Sequence, residues 1–210
     1  MAMARNDSSA PDFSFELAAH GQGFSRVCGI DEAGRGPWAG PVVAAAVILD
    51  PENIPAGLND SKKLKEIQRE KLFAELIVSA KVGVGLGDET RIDRDNILAT
   101  TLWAMGEAVR HLDTAPDFAL VDGNRAPKLS CAVQTIIAGD ARSLSIAAAS
   151  IIAKVTRDRI MKALDREFPG YGFARHKGYG TAFHQAALAE LGPCIHHRKS
   201  FAPIAKLLTR

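Results

Sequence analysis

Four acidic side chains stand immediately after short apolar segments of the kind that form strands. They are Asp31, Glu32, Asp122 and Asp140. If those segments are neighbours in one sheet, their ends bring the acids together at a single edge. Like charges at close range repel one another unless a cation lies between them, and oxygen ligands suit hard divalent ions. The pattern therefore predicts a Mg²⁺ or Mn²⁺ site at this edge, with the four acids as candidate catalytic residues.

Taken singly, these acids have simpler interpretations. Asp122 followed by Gly123 and Asn124 is a good turn sequence, and Gly139 with Asp140 is compatible with another turn. The functional interpretation depends on the joint pattern. A zinc site is disfavoured, because the histidines and cysteines lack the usual paired spacing and the Cys194 region alone makes a poor tetrahedron.

A glycine-rich loop follows the first two acids. Adjacent residues of a continuous strand point to opposite faces, so Asp31 and Glu32 could not share a site unless the strand breaks there. Gly34 and Gly36 permit a close backbone approach to a ligand, and the Arg35 guanidinium suits a phosphate. Acids and loop together predict metal-dependent hydrolysis of a phosphodiester.

The charge of the chain is divided unevenly. Residues 1–140 hold 14 Lys and Arg against 20 Asp and Glu, whereas residues 141–210 hold 12 against 4. A basic last third suits a polyanion such as nucleic acid, although ordinary charge drift is the simpler explanation. Within it, Tyr179 lies among cations and glycines, as in loops that stack on a sugar or base, and a core-facing tyrosine is the alternative. Asp60 to Lys63 is ambiguous between a phosphate contact and a capped helix start.

Composition restricts the class of protein further. The 210 residues are 47% hydrophobic and 24% charged, which is typical of a globular domain. The longest apolar run, Val42 to Leu49, is far short of the roughly 20 residues that a membrane helix needs. The start of the chain lacks the apolar core of a secretory signal, and the three separated cysteines fit a reducing compartment. We therefore expect a cytoplasmic protein with no membrane partner.

Alternating strand and helix patterns predict an α/β fold that positions these residues. The expected strands are 26–31, 42–50, 81–87, 118–121 and 132–138, and the expected helices are 64–80, 98–112, 145–168, 181–191 and 203–208. Residues 1–23 are expected to be a flexible tail, 24–170 the catalytic domain, and 171–210 a helical appendage that closes over the substrate.

The motifs in this order resemble those of ribonuclease HII, the bacterial type 2 ribonuclease H family. The resemblance extends from about Arg26 to Ala202. Its six motifs begin at Gly29, Asn59, Val121, Gly139, Ala149 and His176. It implies the ribonuclease H-like fold, with a five-stranded mixed sheet flanked by helices and a C-terminal helical region.

The resemblance also implies roles for individual residues. Asp31, Glu32 and Asp122 fall on the family's metal-binding acids, and Asp140 completes the catalytic set. Gly34, Arg35 and Gly36 fall on the loop that recognises the ribonucleotide 2′-hydroxyl, and Tyr179 falls on the tyrosine that stacks on the neighbouring deoxyribose.

The implied activity is endonucleolytic, with Mn²⁺ or Mg²⁺ as cofactor. The family cuts the RNA strand of RNA/DNA hybrids and nicks DNA 5′ to an embedded ribonucleotide, leaving 3′-hydroxyl and 5′-phosphate ends. We expect a monomer that acts in ribonucleotide excision repair. Trp38 replaces a smaller aliphatic residue that is common in the family, and Lys206 to Arg210 contains no obvious clamp-binding motif.

Two other functions compete with this hypothesis. A resolvase or exonuclease on the same fold would cleave all-DNA substrates without needing a ribose hydroxyl. A non-catalytic nucleic-acid-binding module would use the basic last third, and its salt-sensitive binding would not respond to chelators.

Overall fold

The computed structural model describes residues 10–209, and a five-stranded mixed sheet lies at their centre. The strands are β1 (Val27–Ala33), β2 (Val42–Leu49), β3 (Ala80–Gly87), β4 (Phe118–Asp122) and β5 (Ala132–Ile136). Their order across the sheet is β3-β2-β1-β4-β5. β1 pairs antiparallel with β2 and parallel with β4, so the predicted mixed sheet is confirmed.

Eight α-helices are found in the described part of the chain. They are α1 (Ser14–Gly21), α2 (Glu66–Ser79), α3 (Glu89–Asp95), α4 (Ile97–Arg110), α5 (Leu144–Glu167), α6 (Phe173–His176), α7 (Ala182–Leu191) and α8 (Ala202–Leu208). None of these helices has the length and hydropathy needed to cross a membrane. The short helix α3 was missed because seven residues carry too little periodicity.

Helices cover both faces of the sheet, and alternation along the strands decides which residues each helix meets. Ala45 and Val47 of β2 pack with α2 and α5, whereas Ala44 and Ala46 pack with α4. The first half of α5 is buried, as its apolar sequence predicted. Gly29 of β1 lets α5 approach closely, since a Cβ at Gly29 would lie 2.1 Å from the Ser145 carbonyl carbon. The strand that carries the first two acids is thus held directly against the longest helix.

The predicted flexible tail over residues 1–23 is wrong from Ser14 onward, where α1 begins. Glu16 is fully buried, and its carboxylate accepts hydrogen bonds from the Ser143 hydroxyl at 2.6 Å and the Ser145 N–H at 2.9 Å. Because free N–H groups at a helix start attract a carboxylate, Glu16 stabilises the start of α5. Residues 1–9 of the expected tail lie outside the described residues.

The C-terminal region packs against the part of the chain that forms the sheet. A small core joins Phe173, Leu188 and Ile204 to Met161 of α5 and to Ala39, which follows the glycine-rich loop. An isolated bridge between Ala39 and His197 adds a main-chain connection. The appendage is therefore attached to the segment that leads from the loop into β2.

Candidate active site

The predicted acids and the predicted loop meet in one pocket of about 350 Å³ at the edge of the sheet. Acidic, basic and aromatic side chains line this pocket together with the backbone of the glycine-rich loop. The lining residues are Asp31, Glu32, Ala33, Gly34, Arg35, Gly36, Ser61, Lys62, Asp122, Lys154, Arg157 and Tyr179. Asp140 is connected to this wall through Lys62, whose Nζ lies 3.3 Å from Asp140 Oδ2.

The expected break in the strand after Asp31 is wrong. β1 continues to Ala33, and its pairing with β2 continues through Glu32 opposite Ala44. Its pairing with β4, however, ends at Ile30 opposite Val121. The Glu32 N–H instead donates to Asp31 Oδ1 at 2.7 Å. The two acids share a pocket because the neighbouring strand ends there, which opens the sheet edge to both.

Asp122 and Asp140 are brought together by the turn that leaves β5. Asp122 is the last residue of β4, and its Oδ1 accepts a 2.7 Å hydrogen bond from the Gly139 N–H. β5 ends at Ile136, so Asp140 lies in a single 3-10 turn, Gly139–Ala141, and not directly at a strand end as expected. This turn places the N–H of Gly139, the residue before Asp140, on the Asp122 carboxylate.

Asp31, Glu32 and Asp140 have raised pKa values. Burial raises the pKa of Asp31 well above its usual range, and the charges of Glu32 and Asp122 add to the rise. Burial is also the main cause of the raised pKa of Glu32. The pKa of Asp140 is raised by burial and by acidic neighbours, although Lys62 opposes the rise. These carboxylates therefore repel one another in a site that water solvates poorly.

Basic side chains of the chain contact these acids. Arg35 Nη1 lies 3.3 Å from Glu32 Oε1, and Lys62 bridges towards Asp140 and, at 4.0 Å, Asp60. Burial lowers the pKa of Lys62, but the nearby carboxylates outweigh it and raise the pKa overall. The helix-start interpretation of the Lys62 segment is wrong, because α2 begins at Glu66. Lys62 instead supplies positive charge to the pocket.

The donor set suits a divalent cation. Among residues 10–209, no three His, Cys, Asp or Glu side chains are close enough to form a ready-made cage. Carboxylate oxygens are nevertheless the ligands that Mg²⁺ and Mn²⁺ prefer, and a cation would compensate the buried charge of Asp31, whose pKa is raised by burial first and by the charges of Glu32 and Asp122 second. No cysteine lines the pocket, and neither does any described histidine, so zinc chemistry is not favoured there.

Tyr179 lies in the pocket wall and is 50% exposed, so the core-facing alternative is wrong. Its backbone is fixed by the core behind it, where the Tyr179 carbonyl accepts a 3.0 Å hydrogen bond from His184 Nδ1. The Gly180 Cα lies under the Trp38 ring, since a Cβ there would lie 2.1 Å from Trp38 Cζ2. An exposed ring on a fixed backbone is suited to stacking.

Three polar side chains at the pocket were not among the predicted site residues, although Ser61 belongs to the ambiguous Asp60 to Lys63 segment. Ser61 and Lys154 line it, and Lys154 Nζ pairs with Asp158 at 2.7 Å. Arg157 is almost fully buried and donates to the carbonyls of Ala39, Pro41 and Lys177. The available signal was the presence of Lys154 and Arg157 in the buried stretch of α5, where unpaired charges are rare.

This sheet order, with helices on both faces and acids at the ends of β1 and β4, defines a nuclease of the ribonuclease H-like class. The family model described as Ribonuclease HII matches residues 28–204. The chain therefore belongs to the ribonuclease HII family and is a ribonuclease H-type hydrolase.

Individual relatives agree with this assignment. The chain is 59% identical over 192 residues to the ribonuclease HII of Azorhizobium caulinodans, covering 91% of this chain and 74% of that protein. Its structure resembles ribonuclease H2 from Pyrococcus horikoshii with a TM-score of 0.74 and 30% identity, over 89% and 98% of the two chains. It shares its fold with Bst-RNase HIII in complex with Mn²⁺, with a TM-score of 0.66 and 22% identity over 92% and 72%.

Proposed function

We propose that the protein is an endoribonuclease that hydrolyses the RNA strand of RNA/DNA hybrids and nicks DNA on the 5′ side of embedded ribonucleotides. The observation that carries the proposal is the convergence of three acids and a glycine-rich loop on one pocket, with Asp140 joined to its wall through Lys62. Family membership supports action on an RNA strand. The loop and Tyr179 are the features that would recognise a single ribonucleotide.

A divalent cation is part of this proposal, and the acids would be its ligands. Asp31, Glu32 and Asp122 would hold Mg²⁺ or Mn²⁺, and Asp140 would complete the site or serve a second ion. When bound, such an ion neutralises charge on the phosphate and lowers the pKa of water. Bst-RNase HIII, which has the same fold, forms a complex with Mn²⁺.

The chain's own basic groups would position the scissile phosphate. Lys154 lines the pocket from α5, Lys62 from the segment before α2, and Arg35 from the glycine-rich loop. Their donors suit phosphate oxygens, and the Arg35 side chain is half exposed, as a group that meets a ligand must be. Attack of water on that phosphorus with cleavage of the P–O3′ bond, the O3′ oxygen leaving as the hydroxyl, would give 3′-hydroxyl and 5′-phosphate ends.

Ribose selectivity would come from Gly34, Arg35 and Gly36, which place backbone groups at the pocket. The 2′-hydroxyl is the group that distinguishes RNA from DNA at a given position. Tyr179 would stack on the next deoxyribose. We further propose a cytoplasmic monomer that removes misincorporated ribonucleotides, with the basic last third of the sequence contacting the duplex backbone.

Cleavage-site mapping tests the proposal. A labelled duplex with one embedded ribonucleotide, an RNA/DNA hybrid and an all-DNA duplex are incubated with the protein and Mg²⁺ or Mn²⁺, with and without EDTA. We expect one cut 5′ to the ribonucleotide, several cuts in the hybrid RNA and no cut in all-DNA, and EDTA should abolish them. Cleavage of all-DNA would instead identify a resolvase or exonuclease.

A further inference from the structure

Arg198 is a fully buried side chain that reaches from the C-terminal region to the glycine-rich loop. Its guanidinium donates to the carbonyl of Gly34 at 2.5 Å, of Arg35 at 2.9 Å and of Gly40 at 2.7 and 2.9 Å. Its own N–H donates to the Trp38 carbonyl at 2.8 Å. One residue thus contacts both ends of the loop.

These contacts orient the peptide units of the loop. In a trans peptide the C=O and the N–H point in opposite directions. Since Arg198 draws the carbonyls of Gly34 and Arg35 towards itself, the N–H groups of Arg35 and Gly36 must point away from it. Neither N–H donates to any acceptor within residues 10–209, and both residues line the pocket. The loop therefore presents two adjacent free donors at the pocket.

The arrangement is costly, which indicates a function beyond packing. Arg198 forms no ion pair with any acid in the described part of the chain, so hydrogen bonds to carbonyl oxygens are the closest compensation for its buried charge. Glu89 and Asp93 add attraction from farther away. Burial, together with the charge of Arg157, lowers the pKa of Arg198 to about 9. An apolar residue would fill this space without the desolvation penalty. The guanidinium is needed because its planar set of donors can bind several loop carbonyls at once and fix their orientation.

We propose that Arg198 is a positioning residue for ribonucleotide recognition: it sets the peptide planes at 34–36 so that the Arg35 and Gly36 N–H groups meet the ribose 2′-hydroxyl oxygen. This inference rests on the proposed function and deepens it. It assigns part of the substrate selectivity to a residue that contacts no substrate and lies outside the loop.

The test measures discrimination between two duplexes that differ by one 2′-hydroxyl. Dissociation constants for both are measured by fluorescence anisotropy with Mg²⁺, in an Asp122→Asn background so that substrate is not consumed. The ratio of the two constants is compared for the parent, Arg198→Met and Arg198→Lys. We expect Arg198→Met to reduce the ratio about tenfold, which is the value of about one hydrogen bond. Arg198→Lys should retain part of the ratio, because an ammonium reaches fewer carbonyls.

Asp93→Ala is the matched control. Asp93 accepts hydrogen bonds from the Lys199 N–H at 2.9 Å and the Ser200 N–H at 2.8 Å, so its loss loosens the same segment without touching the loop carbonyls. The control should keep the parent ratio. A similar fall in Asp93→Ala, or an unchanged ratio in a folded Arg198→Lys protein, would overturn the inference.

Thermal unfolding separates misfolding from the proposed effect. If Arg198→Met does not fold, the Lys variant decides the question by itself. If the parent binds both duplexes equally, the loop does not recognise the 2′-hydroxyl on binding and this inference is overturned, whereas the proposed function is overturned only if cleavage-site mapping shows no cut at the ribonucleotide. If the parent discriminates and the Arg198 variants discriminate equally well, only the inference is lost.

Discussion

The acids of the pocket destabilise the folded protein when no cation is bound. Burial and mutual repulsion raise the pKa values of Asp31, Glu32 and Asp140, so each contributes less to folding than an exposed carboxylate would. Lys62 and Arg35 offset only part of this cost. Residues retained at such a cost are typical of functional sites.

Asp122→Asn should abolish cleavage and change duplex binding by no more than a few-fold. The substitution keeps size and shape, so the Gly139 N–H still has an oxygen acceptor, but it removes one negative charge from the proposed cation site. Single-turnover cleavage and anisotropy on the same duplex measure the two effects. Turnover that returns at saturating Mg²⁺ or Mn²⁺ would count against the assignment of Asp122.

Tyr179→Ala should reduce cleavage of a single-ribonucleotide duplex about tenfold or more and that of a long hybrid less, since loss of one stacking ring is worth about 1–3 kcal/mol. Tyr179→Phe is the matched control, because it keeps the ring and should keep most activity. The ratio of kcat/KM on the two substrates is the measurement. Equal losses on both substrates would indicate a purely structural tyrosine.

At the scale of elements, the spacing between β1 and α5 positions the site. β1 carries Asp31 and Glu32, whereas α5 carries Lys154 into the same pocket. Gly29 allows the two elements to touch, and Glu16 of α1 fixes the start of α5. The relative positions of acids and bases therefore depend on contacts well outside the pocket.

Gly29→Ala should destabilise the protein by about 1–3 kcal/mol, which is the usual cost of overpacking. The added methyl would lie 2.1–2.3 Å from the backbone of Ser145 and Ile146, which cannot move aside as a side chain can. Gly21→Ala is the control, since nothing lies within 4 Å of a Cβ there. Urea unfolding monitored by circular dichroism measures both variants. A Gly29→Ala protein as stable as the control would show that α5 can shift freely.

At the scale of the whole molecule, hydrogen bonds through two buried, neutral histidines connect separate segments of the C-terminal region. The Cys194 N–H donates to His197 Nδ1 at 2.9 Å, His197 Nε2 lies 3.0 Å from His184 Nε2, and His184 Nδ1 reaches the Tyr179 carbonyl. One set of tautomers satisfies all three contacts, with His197 donating to His184. Burial is the main cause that lowers the pKa of each histidine to about 4.

Stability should therefore decrease as the pH falls from about 6.5 towards 4. In this window the unfolded chain binds protons on His184 and His197 that the folded protein does not bind, and above it the histidine contribution is fully present. Each histidine contributes a slope of at most about 1.4 kcal/mol per pH unit.

The site carboxylates have raised pKa values, so their contribution to stability increases as the pH falls, opposite to that of the histidines. The histidine contribution is therefore measured as the difference between the parent and a histidine variant. Urea unfolding of the parent and of His197→Gln is compared between pH 4 and 7. The variant should show the shallower loss of stability on acidification. Identical slopes would mean that His197 is already protonated in the folded protein.

Much of the site was predictable from sequence because its signals are local. Apolar runs ending in acids located β1 and β4 to within two residues, and the loop glycines marked the backbone that would approach a ligand. The motifs also predicted the family correctly. Alternation and turn chemistry act over a few residues, so they can be recognised without knowing the fold.

The sequence by itself determined which residues are the candidates for the chemistry and which strands and helices present them. Only the tertiary structure decided that β4 ends early enough for Asp31 and Glu32 to share a pocket, and that Arg198 holds the Gly34 carbonyl from 164 positions away. Such contacts depend on how distant segments pack, and an arginine in a run of basic residues such as His196 to Lys199 has the same local sequence whether it is buried or solvated.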